Sequence, residues 1–288
     1  MDVSLKRPVE IGTWKPAPFA LRGETVFAIG DVHGCAAELA AMLDAIANLA
    51  AETAGRRRLV YLGDMINRGP DSIGVLRQWA GSEADHGVDH VDRLMGNHEI
   101  MMMLAALGGP HADRAESMWL SKRMGGQTLL DQMRERLDEP AARADLGLLQ
   151  RALGNEIVHR LYGMRGHVRL GNTLFVHGGL DPHADPDEFL ARPWTIFTEA
   201  RWAWINHGFL DWRRGFGGTL VVHGHTPPDK HRAISGMEDP HLFEGDRLGL
   251  DGGSARTGIV TAAEIREGRY RILKAGSPFA TPQSSDDA

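Results

Sequence analysis

The sequence predicts an α/β fold, and three observations carry this prediction. Five short β-rich runs each end on glycine beside a residue that can bind a metal. Helical segments separate the first three runs, and a longer helical stretch follows the third. The runs are ETVFAIGD (24–31), RRRLVYLGD (56–64), VDRLMGNHE (91–99), GNTLFVHGG (171–179) and GGTLVVHGH (217–225).

The order of these segments predicts the topology. Helical patterns over 35–50 and 71–80 join the first three runs, which indicates a βαβαβ unit with a parallel sheet. Residues 100–160 show helical apolar spacing and predict a helical insertion. Residues 246–275 are typical of antiparallel strands joined by turns. One domain with a second, more antiparallel sheet is therefore expected.

The chain has 288 residues, enough for one large domain with a substantial core. We expect a single domain over 24–275, an N-terminal extension over 1–23 and a disordered tail over 276–288. No internal repeat or linker is evident.

Composition excludes several classes of protein. The chain carries 32 basic and 38 acidic residues and no basic block, which argues against nucleic acid as a partner. One cysteine, Cys35, excludes an internal disulfide framework and a multi-cysteine zinc cluster. No apolar stretch reaches membrane-spanning length, and the first twenty residues lack the apolar centre of a secretory signal. A cytoplasmic location without a membrane partner is expected.

The residues after the five strands predict a metal site, because strand ends in an α/β fold converge on one edge of the sheet. Oxygen and nitrogen ligands without thiolates favour Mn²⁺, Fe or Zn²⁺ over a structural zinc site, and six of them suffice for two ions. Each residue alone is more typical of a turn, a helix cap or the core, but five strand ends in chain order favour ligands. The six candidates are Asp31, His33, Asp64, Asn97, His177 and His225.

These segments also resemble a known family. They are similar to the motifs of calcineurin-like metallophosphoesterases, and more narrowly to the phosphoprotein phosphatase branch, which includes bacterial Ser/Thr protein phosphatases and symmetrical diadenosine tetraphosphate hydrolases. The resemblance implies two mixed β-sheets packed as a sandwich and flanked by helices. The matching segments are GDVHG (30–34), GDMINRG (63–69), GNHE (96–99), HGG (177–179), GHT (224–226) and, downstream, LDGGSARTG (250–258).

The resemblance implies two divalent ions, most typically Mn²⁺, with Fe or Zn²⁺ as alternatives. Asp64 would bridge them, and His223 would have only a supporting role. One ion would be held by Asp31, His33 and Asp64, and the other by Asp64, Asn97, His177 and His225.

The resemblance also implies a mechanism in which a hydroxide that bridges the metals attacks phosphorus directly. Arg68 would hold phosphate oxygens, and His98 would protonate the leaving oxygen. Asn67 stands where protein phosphatases of this branch usually carry an acid that pairs with that histidine. A cysteine nucleophile at Cys35 is disfavoured, because no arginine-bearing loop surrounds it.

A second phosphate-binding arginine is expected between HGG and GHT, where Trp204-Ile205-Asn206 replaces the WIR of many bacterial relatives. The candidates are Arg201, Arg213 and Arg214. Six aromatic residues in this region could stack on an adenine or a phosphopeptide side chain, although core packing is the commoner reason for such spacing. They are Trp194, Phe197, Trp202, Trp204, Phe209 and Trp212.

We therefore expect a metal-dependent phosphoric ester hydrolase that acts on phosphoserine or phosphothreonine in a protein. A dinucleoside polyphosphate hydrolase is the alternative, since those enzymes also lack the acid at the position of Asn67. Glu99 instead favours the protein phosphatases, because the dinucleoside polyphosphate hydrolases usually carry Asp at that position. A non-catalytic scaffold of the same fold is the alternative from another class, and retention of tightly bound metal would argue against it.

Overall fold

Two β-sheets form the centre of the molecule. The computed structural model describes residues 9–140, 143–196 and 198–276. The strands are β1 (Val9–Ile11), β2 (Lys15–Pro16), β3 (Thr25–Ile29), β4 (Arg57–Tyr61), β5 (His90–Arg93), β6 (His167–Leu170), β7 (Thr173–Val176), β8 (Leu220–His223), β9 (Arg247–Gly249), β10 (Val260–Arg266) and β11 (Arg269–Ala275).

The first sheet has the order β1-β11-β10-β3-β4-β5, with β2 paired to β11. Strands β3, β4 and β5 are parallel, as the βαβαβ pattern predicts, whereas β1, β10 and β11 pair antiparallel. The second sheet has the order β6-β7-β8-β9, with β7, β8 and β9 parallel. The prediction that 246–275 forms antiparallel strands is therefore right for the β10–β11 hairpin. It is wrong for β9, because β9 pairs parallel with β8 in the second sheet.

Ten helices cover the sheets and connect the strands within the described ranges. They are α1 (Ala36–Ala51), α2 (Ser72–Trp79), α3 (Asn97–Leu107), α4 (Ala112–Trp119), α5 (Gln127–Leu137), α6 (Leu146–Leu153), α7 (Asn155–Tyr162), α8 (Pro186–Leu190), α9 (Pro228–Ser235) and α10 (Ser254–Thr257), with a 3₁₀ turn at Arg201–Ala203. Helices α3 to α7 form the predicted helical insertion.

Alternating residues of the strands divide the core into layers. Val26 and Ala28 of β3 face the second sheet and pack in one cluster with Phe175 and Val222. Their neighbours in β3 face the opposite way, into the cluster that α1 and α2 cover. Successive residues of a strand point to opposite faces, so β3 is buried on both. The predicted sandwich of two mixed sheets flanked by helices is confirmed.

The structure describes the predicted N-terminal extension and the predicted tail only in part. Residues 9–23, in the predicted N-terminal extension, contribute β1 and β2 to the first sheet. The predicted tail lies outside the described residues from 277 onward, as does Phe197 of the aromatic run. Within the described ranges, no helix combines the length and the apolar character needed to cross a bilayer. The cytoplasmic location stays a prediction.

Candidate metal centre

The strand register brings the predicted ligands to one edge of each sheet. Ile29 of β3 pairs with Tyr61 of β4, and Tyr61 pairs with Arg93 of β5, so these three strands end side by side. The residues that follow are Asp31, Asp64 and Asn97. In the second sheet β7 and β8 are also parallel and adjacent, and His177 and His225 follow their ends.

The glycines of the motifs allow these strand ends to approach closely. A Cβ atom on Gly96 would lie 2.3 Å from the backbone nitrogen of Asp64, and one on Gly224 would lie 2.2 Å from Oδ1 of Asp31. Such separations are too short for any side chain. Glycine is therefore required where the loops after β4 and β5 meet, and where the loop after β8 meets the one after β3.

Asp64 is the central side chain of the cluster. Its Oδ2 lies 3.3 Å from Nε2 of His177, 3.8 Å from Nε2 of His33 and 3.8 Å from Nε2 of His98. Its Oδ1 accepts the backbone N–H of His98 at 3.0 Å. Two groups of potential ligand atoms share this carboxylate, each within 4.8 Å: Asp64 with His33 and His98, and Asp64 with His177 and His225.

Three histidines are oriented as metal ligands usually are, with one ring N–H held by a backbone carbonyl. Nδ1 of His33 donates to Ile66 at 2.9 Å, and Nδ1 of His177 donates to Leu62 at 2.9 Å. Nε2 of His225 donates to Trp204 at 3.1 Å. In the neutral ring, the other nitrogen of each histidine therefore presents a lone pair to the centre.

Two acceptor atoms face each other at the centre of the cluster. Oδ1 of Asn97 lies 2.8 Å from Nδ1 of His225, which is the acceptor left by the carbonyl bond of that neutral ring. The same oxygen lies 3.1 Å from Nε2 of His177. Acceptors at this distance repel one another unless a cation lies between them. The donor set, two carboxylates, one amide and three imidazoles, suits a divalent ion of intermediate hardness. The residues thus fit the predicted ions.

Asp31 and Arg68 complete the cluster. Asp31 accepts the backbone N–H of His225 at 2.9 Å, and its Oδ2 lies 3.9 Å from Nε2 of His33. Nη1 of Arg68 donates to that same nitrogen of His33 at 2.8 Å. The guanidinium therefore lies within reach of any phosphate bound at the cluster.

The electrostatics of the buried carboxylates also suit a cation. Burial raises the pKa of Asp31 well above its usual range, and the carboxylates of Asp251 and Asp64 raise it further. Burial would likewise raise the pKa of Asp64, but His177 and His98 hold that pKa well below its usual range. A bound divalent ion would favour the charged form of every carboxylate here.

The histidines are held mainly in the neutral form that ligates metals. Burial lowers the pKa of His33 to about 4, with a further contribution from Arg68. Burial and the nearby His177 lower the pKa of His225 to about 3. His177 differs: burial lowers its pKa, but the bond to Asp64 outweighs burial and raises it. A metal ion would displace that proton.

Several site residues have left-handed backbone conformations. The φ angle is +45° at His33, +56° at Asp64, +73° at Asn67, +64° at Arg68 and +67° at His225. L-residues other than glycine adopt this region at a cost of order 1–3 kcal/mol each. Such outliers are typical of sites where the fold holds a side chain in a required direction.

A model of the family described as calcineurin-like phosphoesterase matches residues 24–252. The chain belongs to that family. The resemblance seen in the sequence is therefore confirmed, and the expected class, a phosphoric ester hydrolase, agrees with this membership.

Two curated relatives of this calcineurin-like phosphoesterase share one name. Symmetrical bis(5'-nucleosyl)-tetraphosphatase of Paracidovorax citrulli (strain AAC00-1) is 31% identical over 167 residues, which are 57% of this chain and 48% of that protein. The protein of the same name from Azotobacter vinelandii (strain DJ / ATCC BAA-1303) is 37% identical over 81 residues, 28% of this chain and 26% of that one. The matched region thus spans about half or less of these relatives.

Among solved structures, the cold-active protein-tyrosine phosphatase of a psychrophile Shewanella sp. aligns with a TM-score of 0.46 and 18% identity. The alignment covers 86% of this chain and 80% of that one.

Two arginines predicted to bind substrate lie elsewhere. Nη1 of Arg201 pairs with Asp181 at 3.4 Å, and Arg213 donates to the carbonyl of Ser235. Neither lines the cavity above Asp64, which has a volume of about 760 Å³. The cations that do line it, besides Arg68, are Arg123 and Lys230. Neither could be predicted, because nothing local in the sequence indicates where the helical insertion and α9 pack.

Two buried acids lie near the ligands in roles that the sequence did not indicate. Glu99 accepts the backbone N–H groups of Asp64, Met65 and Gly96 at 2.8–3.1 Å, so it ties the GDMIN and GNHE loops together. Asp251 follows β9 as the ligands follow their strands, and burial raises its pKa to about 6. The segment Leu250-Asp251-Gly252 repeats the strand-end pattern, which is a signal that could have identified it.

His223 and Cys35 each lie two positions from a predicted ligand in the sequence. His223 is buried, its Nδ1 lies 3.0 Å from the carbonyl of Gly224, and its ring stacks on His231 at 5.9 Å. Cys35 is buried directly before α1. Neither lines the cavity, which agrees with a supporting role for His223 and a packing role for Cys35.

Proposed function

We propose that this protein is a two-metal hydrolase that cleaves the phosphate chain of a dinucleoside polyphosphate. The observation that carries the proposal is the cavity above Asp64 and Asn97, into which three cations face: Arg68, Arg123 and Lys230. A single phosphate on a protein side chain needs few of these charges. A chain of several phosphates can engage all three.

The charge of the cavity supports a polyanionic substrate. Burial lowers the pKa of Lys230, and the nearby positive charge of Arg123 lowers it further. Two cations that repel each other in this way are both stabilised when an anion lies between them. Arg68 reaches the same region, since its Nη2 donates to the backbone carbonyl of Arg123 at 3.3 Å.

The rest of the lining suits a nucleoside. The helical insertion contributes Ser117, Met118 and Met124, and the segment after the 3₁₀ turn contributes Trp204 and Asn206. Apolar surface with a few polar groups is the usual lining of a small-molecule site. The names of the curated relatives point to the same substrate class. Together these observations favour the dinucleotide over the phosphoprotein that the sequence first suggests.

The metal ligands we propose are Asp31, His33, Asp64, Asn97, His177 and His225. Two divalent ions held there would supply Lewis-acid stabilisation of the phosphate and a nucleophile at neutral pH. Arg68 would bind the phosphate oxygens and offset the negative charge of the transition state. Nε2 of His98 faces the same centre and would protonate the leaving oxygen as the bond from phosphorus breaks.

A comparison of substrates tests the proposal. With Mn²⁺-loaded protein, kcat/KM for diadenosine tetraphosphate is expected to exceed that for a phosphothreonine peptide by at least about tenfold, the effect of roughly 1.4 kcal/mol of additional binding. A preference for the peptide would overturn the dinucleotide assignment and favour the assignment as a protein phosphatase. Absence of both activities and of tightly bound metal would favour the non-catalytic scaffold.

The cavity cations give a second test. Arg123→Ala is expected to lower kcat/KM for diadenosine tetraphosphate about tenfold, as loss of one partly solvated charged hydrogen bond does, and to leave p-nitrophenyl phosphate hydrolysis unchanged. Arg136→Ala is the matched control, since Arg136 is an exposed arginine on α5 outside the cavity. If Arg123→Ala lowered turnover of both substrates equally, or if Arg123→Ala and Arg136→Ala had equal effects, Arg123 would not be a substrate-binding residue.

A further inference from the structure

A turn of the helical insertion contacts Arg68, the proposed phosphate-binding residue. This insertion turn comprises residues 120–126, between α4 and α5. The backbone N–H of Arg68 donates to the carbonyl of Gly125 at 3.2 Å, and its Nη2 donates to the carbonyl of Arg123 at 3.3 Å. The insertion turn therefore holds both the backbone and the guanidinium of Arg68.

Gly125 packs directly against the side chain of Arg68. A Cβ atom on Gly125 would lie 2.8 Å from Cγ of Arg68 and 3.2 Å from its backbone nitrogen. Cγ belongs to the rotatable part of the side chain, so a larger residue at position 125 would push it out of its rotamer. Glycine at this position is thus a condition for the observed direction of the guanidinium.

The carbonyl of Gly125 is itself fixed within the insertion. The backbone N–H of Gly125 donates to the carbonyl of Ser121 at 2.8 Å, and Oγ1 of Thr128 donates to the carbonyl of Gly125 at 2.9 Å. A carbonyl oxygen has two lone pairs, so it can accept from both Thr128 and Arg68. The acceptor is therefore in place before any substrate binds.

Arg68 needs such support because its side chain is exposed. An exposed arginine samples many rotamers, and ordering it when phosphate binds costs free energy. Its Nη1 also donates to Nε2 of His33 at 2.8 Å, but a neutral imidazole has one lone pair, which an ion held by His33 would occupy. The carbonyl of Arg123 would then be the partner left to the guanidinium among the described residues.

We propose that Gly125 is a positioning residue, which lets the insertion turn pack against Arg68 and direct its guanidinium to phosphate. This inference rests on the proposed role of Arg68 in phosphate binding. It does not depend on which phosphate ester is the substrate. It also gives Arg123 two separate roles, since its backbone holds Arg68 while its side chain lines the cavity.

The affinity for inorganic phosphate tests this role without use of a dinucleotide. Isothermal titration calorimetry of Zn²⁺-loaded protein gives the Kd, once metal content has been shown to be equal in all variants. Gly125→Ala is expected to raise the Kd about tenfold, as loss of one charged hydrogen bond does. Arg68→Ala is expected to raise it by at least the same factor.

Gly268→Ala is the matched control. Gly268 has a φ angle of +72°, close to the +69° of Gly125, so alanine strains the two backbones alike. Nothing lies within 4 Å of a Cβ atom at Gly268, and its variant is expected to keep the wild-type Kd. Gly125→Asn is a second variant, since asparagine adopts positive φ more readily than alanine but still places a Cβ atom against Arg68. It is expected to raise the Kd as Gly125→Ala does.

A double-mutant cycle shows whether Gly125 acts through Arg68. Once Arg68→Ala has removed the guanidinium, adding Gly125→Ala is expected to cause no further loss of phosphate affinity. A further tenfold loss in the double variant would overturn the positioning role. Wild-type affinity in Gly125→Ala and Gly125→Asn, or an equal loss in Gly268→Ala, would overturn it as well.

These outcomes are separate from those that test the substrate. A wild-type Kd in Arg68→Ala would reject the phosphate-binding role of Arg68 and this inference with it. A preference for the phosphothreonine peptide over diadenosine tetraphosphate would reject the dinucleotide proposal alone, and the expected Kd values would still support the role of Gly125.

Discussion

Asp64→Asn is expected to reduce metal-dependent phosphatase turnover by at least about 10³-fold, since several kcal/mol of transition-state stabilisation depends on the bound ions. Asp64 is the carboxylate that both groups of potential ligands share. An asparagine keeps the shape and can still accept the backbone N–H of His98. It loses the negative charge that two cations would share.

Metal content and turnover should be measured together on the same preparation. Asp71→Asn is the matched control, because Asp71 caps α2 by accepting the N–H of Gly74 at 2.7 Å and asparagine caps a helix equally well. Turnover and metal content of this control are expected to match those of the wild type. Near-normal turnover of Asp64→Asn with two ions per chain would refute the assignment of Asp64 as the ligand that both ions share.

His98→Ala is expected to lower kcat for alkyl phosphates by roughly 10²–10⁴-fold, the usual contribution of a general acid. The same change should affect an aryl phosphate far less, because a phenolate leaves without much protonation. Nε2 of His98 lies 3.8 Å from Oδ2 of Asp64, so the ring adjoins the reacting centre. Its Nδ1 contacts the side chain of Asn67, whereas each of the three proposed histidine ligands is bonded to a backbone carbonyl.

The ratio of alkyl to aryl turnover is the quantity to measure, because it cancels losses from partial unfolding. His86→Ala serves as the control: His86 is buried outside the cavity, with its Nε2 3.4 Å from the hydroxyl of Tyr61. Its ratio should equal that of the wild type. Equal losses on both substrates in His98→Ala would show that His98 is not the acid.

The sequence predicted those parts of the fold and site that depend on strand order. Asp31, Asp64 and Asn97 each follow a parallel strand, and such strands end at one edge whatever else the chain does. Their convergence was therefore foreseeable without side-chain detail. Strand β9 was misassigned for a related reason: it is only three residues long, and its pairing with β8 involves residues far away in sequence.

The remaining contacts could not be predicted, because they depend on how one packed unit lies against another. Trp119 of α4 lies 52 positions beyond Asn67, to which its indole nitrogen donates. Helical periodicity shows that α4 has a buried face, but it does not show which residues that face meets. Arg123 and Lys230 escaped notice for the same reason. The predicted second arginine lies between the HGG and GHT segments, whereas the cavity receives its cations from the insertion and α9.

The left-handed residues described at the site carry a consequence for engineering. Five of the eight non-glycine residues with positive φ in the described ranges are proposed to bind metal, phosphate or the general acid: His33, Asp64, Asn67, Arg68 and His225. Glycine at any of them would relieve strain, and glycine at Arg68 is expected to favour the folded state while it removes the phosphate-binding group. Selection for thermostability alone would therefore tend to erase activity here, and stabilising changes should be sought away from these turns.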